Sequence, residues 1–508
     1  MKNEAEIHSI NIEPVFEGKG LDYDVPLLIS TGRDEEISGV DIEDFSINDF
    51  DLYIGVEERD DLNIPSHSEP DIIRHFTRLS QKNYSIDTGF YPLGSCTMKH
   101  NPRINELVAR LNGFRDVHPL QNESTIQGCL EVMYELQKWL SELSGLDAVS
   151  LNPAAGAHGE YAGMSVIRKA HEVKGNVRKY VIIPDSAHGT NPATAASCGY
   201  KILTVNTTKD GFCDLGEIEE LISQYGEEIA AIMLTNPNTC GKFEKDIVKI
   251  ADLIHSVGAY FYCDGANFNA IVGYIKPGEL GIDVMHFNLH KTFSTPHGGG
   301  GPGCGPIAVS SELSEYLPVP YVKKSNDKFT FVRDSKNSIG QIKGFYGQFT
   351  LMVRALSYML SNGINGLRMV SRDAVLSANY IMVKLKDHYN LAYSGNCMHE
   401  CLFTDKLQSK HDISTLDIAK ALVEFGFHPM TMYFPLTVPG AMLIEPTETE
   451  NKNTLDKFIA TMIYIANEIS EGRGDKFKEF PLNTPKKRLD ETSAARNPIL
   501  SWQMIENN

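Results

Sequence analysis

The feature that most constrains this chain is an alternation of apolar, β-branched runs with amphipathic helical stretches, which begins at Asp147. Strands that alternate with helices predict a parallel sheet covered by helices on both faces, an α/β fold. Ligands of such sheets bind at the carboxyl ends of the strands, so the residues after each run are candidates for chemistry. The predicted strands are residues 148–153, 179–185, 200–206, 228–237, 259–265, 283–290 and 305–310, and the clearest helices are 161–173, 215–226 and 245–258.

The length of 508 residues predicts two or three domains. Residues 1–85 are acidic and weakly periodic, which indicates an N-terminal arm with short helices that packs on another domain or subunit. A solvated leader is the alternative. Residues 86–345 carry the alternating pattern and form the expected large domain. Residues 346–508 hold longer helical stretches with few strands, which predicts a smaller α+β domain with a polar tail.

The composition excludes several classes of protein. The net charge of −19 argues against a nucleic-acid surface, which needs a basic face. The nine cysteines are scattered and form no C-x-x-C pair, so neither a zinc ribbon nor a thioredoxin-like site is indicated. The first residues lack the apolar segment of a signal peptide, and no window approaches the roughly 18 apolar residues of a membrane helix. We therefore expect a cytoplasmic protein that binds neither nucleic acid nor membrane.

Two of the predicted strands end in small residues with a histidine. Residues 152–158, NPAAGAH, form a turn that opens a helix, and its free backbone N–H groups suit a phosphate. A tight turn without a ligand uses the same residue types. After the second strand, His188 stands among small polar residues, where an imidazole can lie flat against an aromatic ligand or transfer a proton. A structural histidine is the alternative.

Asp264 and Lys291 supply the charges. Asp264 directly follows an apolar strand, where a carboxylate is costly unless it faces a cation or a protonated heterocycle. A helix N-cap is the alternative. Lys291 precedes four glycines, residues 298–301, whose backbone can approach a ligand closely. Pyridoxal phosphate is held by three parts: a lysine that bonds to its carbonyl, a carboxylate, and a turn that binds its phosphate. The sequence predicts all three at neighbouring strand ends.

A metal site is the competing interpretation of this region. His286 and His290 have the spacing of two zinc ligands on a helix, and His297 follows them. That spacing serves zinc on a helix that also carries the glutamate of the HExxH motif. The intervening residues here are Phe-Asn-Leu, on a predicted strand, so no metal is expected.

Several motifs resemble the glycine cleavage system P-protein family, in the form that is split into two chains. The similarity runs from about Asp87 to the C-terminus. The family has the pyridoxal-phosphate-dependent transferase fold, which is aspartate-aminotransferase-like. The motifs that carry the resemblance are YPLGSCTMKHNPRIN (91–105), HPLQ (118–121), NPAAGAHGE (152–160), DSAHGTNPA (185–193), NLHKTF (288–293) and LIEPTETE (443–450).

The resemblance implies roles for individual residues. Lys291 carries the cofactor, Asp264 pairs with its pyridine nitrogen, and His188 stacks on its ring and acts in catalysis. Asn267 is similar to the position that hydrogen-bonds the phenolate oxygen in related folds. The residues that resemble phosphate contacts are Ala155, Gly156 and His290.

The resemblance also implies the reaction and its partners. Glycine loses its carboxylate as CO2, and the aminomethyl group passes to the lipoyl arm of H-protein. The split form needs a partner chain of the same fold that lacks the lysine, glycine dehydrogenase (decarboxylating) subunit 1. The expected assembly is a heterotetramer with two copies of each chain.

Two other functions stay open on the residues alone. A cysteine desulfurase of the same cofactor class needs a reactive cysteine on a mobile loop, and Cys304 lies in GPGCGP near the predicted cofactor. The long YPLGSCTMK and EPTETE segments weigh against it. A non-catalytic subunit that merely keeps the fold is the second alternative, and the presence of both Lys291 and Asp264 argues against it.

Overall fold

The computed structural model describes residues 25–30, 65–298 and 303–501. Most of the predicted N-terminal arm and three glycines of the 298–301 run lie outside the described residues. The helices are α1 (Glu69–Gln81), α2 (Arg103–Ala109), α3 (Asn112–Arg115), α4 (Gln127–Ser144), α5 (Gly156–Val173), α6 (Thr190–Ser197), α7 (Leu215–Tyr225), α8 (Ile247–Ser256), α9 (Leu289–Thr292), α10 (Phe349–Leu385), α11 (Thr415–Glu424), α12 (Lys452–Ser470) and α13 (Glu491–Arg496).

The strands fall into a large sheet, a hairpin and a small sheet. Those of the large sheet are β1 (Ala148–Ser150), β2 (Tyr180–Pro184), β3 (Lys201–Val205), β4 (Ile229–Thr235), β5 (Tyr260–Gly265), β6 (Val284–Phe287) and β7 (Ile307–Val309). The hairpin strands are β8 (Tyr321–Ser325) and β9 (Lys328–Val332). Those of the small sheet are β10 (Asn390–Leu391), β11 (Cys401–Thr404), β12 (Thr431–Met432) and β13 (Ala441–Ile444).

The large sheet has the order β1-β7-β6-β5-β4-β2-β3. Six of its strands run parallel, whereas β7 is antiparallel to both β1 and β6, so the prediction of a wholly parallel sheet is wrong for this strand. Every residue of β4, β5 and β6 is buried, because helices cover both faces. A strand buried on both faces gives the continuous apolar run seen in the sequence instead of an alternating one.

The small sheet is antiparallel, in the order β10-β11-β13-β12. Helices α11 and α12 bury their apolar faces against it in a second core. Helix α10 joins the two cores, because its first half packs with the large sheet and its last turns, at Ala378, Ile381 and Leu385, pack with the small one. Gly363 lies at φ 58° inside α10 and interrupts its helical geometry, a conformation that glycine adopts without strain.

The confirmed part of the prediction is the fold class, a large α/β sheet with a smaller C-terminal α+β unit. The domain boundaries near residues 85 and 345 remain proposals. None of the described helices combines the length and the hydropathy that a membrane span requires.

Candidate active site

Lys291 lies in the one-turn helix α9, which directly follows β6. The predicted strand over residues 283–290 is therefore too long: β6 ends at Phe287, and the chain turns into a helix that carries His290 and Lys291. The side chain of Lys291 is half-buried, and its Nζ donates a hydrogen bond to the carbonyl oxygen of Ser95 at 2.8 Å. The amine is thus held at the carboxyl edge of the sheet, where the sequence placed it.

Asp264 lies at the end of β5 and is 3% exposed. Its carboxylate accepts hydrogen bonds from the Asn191 side-chain amide at 3.1 Å and from the Ala266 backbone N–H at 2.9 Å. The Nε2 atom of His286 lies 3.4 Å away. Burial raises the pKa of Asp264, but His286 and these hydrogen bonds outweigh it and hold the pKa below its usual value. Asp264 is therefore a buried anion.

The groups closest to Asp264 carry no permanent positive charge. Burial lowers the pKa of His286 although Asp264 opposes that shift, so the imidazole is neutral near pH 7. The hydroxyl of Tyr262 bonds to Nδ1 of the same ring at 2.6 Å. A buried carboxylate whose nearest partners are neutral is suited to a cationic ligand group such as a protonated pyridine nitrogen.

Glu160 is a second buried carboxylate beside Asp264, and sequence reasoning missed it. It accepts hydrogen bonds from the hydroxyls of Thr190 at 2.6 Å and Thr194 at 3.2 Å. One polar atom from each of Glu160, Asp264 and His286 lies within 4.8 Å of the others. Burial, and then the charge of Asp264, raise the pKa of Glu160 to about 7. The available signal was a glutamate on a helix face that otherwise carries small and apolar residues.

His188 lies in the loop after β2, just before α6, and its ring is exposed. Its Nδ1 lies 2.9 Å from the hydroxyl of Thr190, the residue that also bonds Glu160. The pKa of His188 lies below its usual value. Desolvation is the main cause, and the charge of Lys291 adds to it, whereas the charge of Asp264 opposes it. The ring is therefore within electrostatic range of both charged residues of the site, on its open side.

The predicted phosphate turn lies where three chain segments approach closely. Helix α5 begins at Gly156, and its N-cap residue Ala155 is extended with no side-chain cap. A Cβ on Gly156 would lie 2.5 Å from Oδ1 of Asn288, and one on Gly305 would lie 2.0 Å from the carbonyl oxygen of Ala155. At Gly305 the neighbouring atom is backbone, so only glycine fits there. The close approach brings the α5 N-terminus against the start of α9.

Polar atoms around this turn lack protein partners. Among the described residues, Oδ1 of Asn288, Nδ1 of His290 and Oδ1 of Asn267 are buried without a hydrogen bond. Burial, and then His297 and Lys291, lower the pKa of His290 to about 3, so its ring is neutral. Asn267 donates one Nδ2 hydrogen bond to the Pro237 carbonyl at 2.9 Å. The neutral His290 ring carries one N–H to donate, and the α5 N-terminus presents backbone N–H groups without a side-chain cap, so these donors match a phosphate-bearing cofactor.

The three histidines of the metal alternative lie on different elements. His286 is on β6 and faces Asp264 and Tyr262. His290 is on α9, and its ring centroid lies 5.1 Å from that of His297. The structure thus does not bring the three rings to one point.

Cys304 is the cysteine on which the desulfurase alternative depends, and it is fully buried. Burial raises the pKa of its thiol to about 12. A nucleophilic cysteine needs exposure and a lowered pKa, so Cys304 does not fit that role.

The loop at residues 95–97 contacts the amine of Lys291 through the Ser95 carbonyl, and no role was assigned to its individual residues from sequence. Ser95 and Thr97 both have a left-handed backbone, with φ 66° and 50°. Lys99 anchors the chain just after this loop. Its Nζ donates hydrogen bonds to the Thr292 carbonyl at 3.0 Å and to the Glu448 carboxylate at 2.7 Å. The YPLGSCTMK motif therefore runs directly past the amine of Lys291.

The fold is the aspartate-aminotransferase-like fold of pyridoxal-phosphate-dependent transferases. A solved structure of that fold, glycine decarboxylase (P-protein) of the glycine cleavage system in inhibitor-bound form, matches with a TM-score of 0.67 at 22% identity. The match covers 82% of this chain and 93% of that one.

The sequence comparisons are more specific. The family profile described as glycine cleavage system P-protein matches residues 35–330, and the one described as glycine dehydrogenase, C-terminal domain, matches residues 370–483. The chain is 55% identical over 451 residues to a probable glycine dehydrogenase (decarboxylating) subunit 2 of Caulobacter vibrioides, covering 87% of this chain and 86% of that one. It is 48% identical over 504 residues to a Bacillus cereus protein of the same description, covering 99% of each. The chain belongs to the glycine cleavage system P-protein family.

Proposed function

We propose that this chain catalyses the decarboxylation of glycine in the glycine cleavage system, with pyridoxal phosphate bound through Lys291. The observation that carries the proposal is the Lys291 amine at the sheet edge that also holds the buried anion Asp264. Family membership adds the substrate, because the relatives are described as glycine dehydrogenases (decarboxylating).

The residues of this chain would hold the cofactor at five points. Lys291 bonds to its carbonyl carbon, and Asp264 keeps the proton on its pyridine nitrogen. The N-terminus of α5 at Ala155 and Gly156, with His290, holds the phosphate. His188 covers the ring from the open side, and the remaining N–H of the Asn267 amide reaches the phenolate oxygen.

When bound, pyridoxal phosphate accepts the electron pair that the departing carboxylate leaves on the α-carbon of glycine. The chain's own residues favour this step by charge and position. Asp264 is an anion fixed by Asn191 and Ala266, so it needs no rearrangement to stabilise a positive ring nitrogen. The Ser95 carbonyl would hold the Lys291 amine whenever that amine is free.

The partners belong to the same proposal. After CO2 leaves, the aminomethyl carbon forms a bond to one sulfur of the oxidised lipoyl arm of H-protein. The lipoyl S–S bond breaks, and the second sulfur takes a proton. The description "subunit 2" of the relatives supports a companion subunit 1. Large exposed apolar side chains on α2 and α10 support an interface with that chain, in the proposed heterotetramer; they are Ile104, Leu107, Leu360, Ile364 and Leu376.

The test is exchange of labelled bicarbonate into the carboxyl group of glycine. The purified chain is assayed alone, with subunit 1, and with subunit 1 plus lipoylated H-protein. Exchange that requires this chain supports the proposal, whereas no exchange in the complete mixture contradicts it.

The lysine is tested separately by borohydride reduction and peptide mass spectrometry. Wild-type chain should carry the reduced cofactor on Lys291, and Lys291→Ala should fold but carry none. Lys242→Ala is the matched control, because Lys242 is a buried lysine that also donates to backbone carbonyls, those of Ser394 and Asn396. Cofactor trapped on the Lys291→Ala chain would show that the assignment is wrong.

A further inference from the structure

The loop that faces Lys291 is held in a strained conformation. Ser95 and Thr97 are not glycines, yet both lie in the left-handed region, at φ 66° and 50°. Such residues persist only when surrounding contacts fix them. The Ser95 backbone N–H donates to Oε2 of Glu400 at 2.8 Å, and the Thr97 backbone N–H donates to Oε2 of Glu445 at 2.9 Å. The Thr97 hydroxyl donates to Oε1 of Glu445 at 2.7 Å.

Both glutamates come from the small sheet, and strand register explains why they meet. Cys401 in β11 pairs with Ile444 in β13, so Glu400, just before β11, and Glu445, just after β13, lie at the same end of two adjacent antiparallel strands. Both side chains are fully buried. Burial raises the pKa of each glutamate, the second carboxyl raises that of Glu400 further, and Lys291 opposes the rise in both. The amine is therefore within the electric field of the pair.

His399 completes the cluster. Its ring is fully buried, with Nε2 at 3.9 Å from Glu445 and 4.0 Å from Glu400. Neither of its ring nitrogens has a hydrogen-bond partner within the described part of the chain. The carboxylate oxygens nearest His399 already accept hydrogen bonds from the loop, which disfavours a metal ion in their place. The cluster instead faces the loop and, through it, the lysine.

We propose that Glu400 and Glu445 are positioning residues that fix the Ser95 carbonyl as the acceptor of the Lys291 amine. They act through the loop at residues 95–97 and do not touch the amine themselves. Without their carboxylates, the left-handed loop loses the hydrogen bonds that hold its backbone, and the amine loses its fixed acceptor. This inference rests on the proposed function, because it assigns a role in lysine attachment and release.

The local chain geometry supports the same role. Gly94 donates to the Leu443 carbonyl at 3.3 Å, and a Cβ on Gly94 would lie 2.4 Å from the Leu443 side chain. Leu93 bridges Ile444 in antiparallel fashion, and Thr431 donates to the Gly94 carbonyl at 2.7 Å. The loop is therefore built onto the small sheet, although its carbonyl serves a lysine that belongs to the large one.

The test measures covalent attachment of pyridoxal phosphate to Lys291 in the full chain, without glycine. The attachment rate is followed from pH 6 to 9 by borohydride trapping and peptide mass spectrometry, for wild type, Glu445→Gln and Glu400→Gln. For Glu445→Gln we expect a plateau rate lower by about tenfold or more, because the amine is less well positioned.

Glu424→Gln is the matched control. Glu424 is also a buried glutamate that accepts backbone N–H groups, from Leu482 at 2.6 Å and Asn483 at 3.0 Å, but it does not bond the loop. It should keep the wild-type plateau rate. A wild-type plateau rate in Glu445→Gln, or an equal loss of rate in Glu424→Gln, would overturn the inference.

A second variant covers the case in which Glu445→Gln does not fold. Thr97→Val removes only the hydroxyl that donates to Oε1 of Glu445, so it should lower the plateau in the same direction by a smaller factor. An unchanged plateau in Thr97→Val would then overturn the inference. Failure of the proposed function gives a different result, since wild type would attach no cofactor or would not exchange bicarbonate.

Discussion

Replacing Glu160 with glutamine should change how stability depends on pH. Glu160 is 3% exposed, and burial beside Asp264 raises its pKa from 4.5 to about 7. An acid whose pKa is raised by folding binds its proton more tightly in the folded state. Below about pH 4.5 both states are protonated, and between 4.5 and 7 the unfolded chain loses its proton first. Folding stability therefore falls across that window by roughly 3 kcal/mol, at about 1.36 kcal/mol per unit.

Glutamine keeps the shape of the side chain and cannot ionise, so Glu160→Gln should lack this loss. The assay is urea unfolding of both chains at pH 4.5 and pH 8. Relative to wild type, the variant should gain roughly 3 kcal/mol between the two pH values. Glu106→Gln is the control of opposite sign, because the hydrogen bond from Arg354 lowers the pKa of Glu106. If Glu160→Gln and wild type keep the same stability difference at both pH values, Glu160 is not a buried acid of raised pKa.

Two further changes test the cofactor site. Asp264→Asn should keep the fold and the cofactor on Lys291, yet slow bicarbonate exchange about a hundredfold or more. The reason is that an amide has no charge to hold a proton on the ring nitrogen. Exchange at the wild-type rate would show that Asp264 does not have that role. Gly305→Ala should lower the free energy of unfolding by about 1–3 kcal/mol, because its Cβ would lie 2.0 Å from the Ala155 carbonyl oxygen. Gly344→Ala is the control, because no neighbouring atom lies within 4 Å of the added Cβ, and it should leave the thermal unfolding temperature unchanged. Equal effects of the two changes would contradict the close-packing argument.

The large sheet was predictable because its strands are buried on both faces and separated by amphipathic helices. The fully buried runs of β4, β5 and β6 give a signal that needs no tertiary information. The direction of β7 was not predictable, since GPIAVS looks the same whichever way the strand runs. Helix α6, TNPATAAS, also escaped prediction, because it has few large apolar residues to mark a helical period.

The boundary at residue 287 shows how a site interrupts a pattern. The apolar letters of DVMHFNLH continue past Phe287, so the strand was predicted to reach 290. The chain turns there into α9, with Asn288 beside Gly156, and this turn points Lys291 at Ser95. Contacts made across 130 residues or more decide that turn, and no local period reports them.

The sequence alone located Asp264 and Lys291 because each follows a recognisable strand of one sheet. Glu400 and Glu445 follow no such rule, since they flank short strands of a different sheet and reach the site only through the pairing of β11 with β13. Their carboxylates bond the backbone of a loop that is more than 300 residues away in sequence. A displacement of the small sheet would move the Ser95 carbonyl relative to Lys291, because the loop bonds to that sheet. The geometry of the lysine therefore depends on how the two cores are packed, and α10 contributes side chains to both of them.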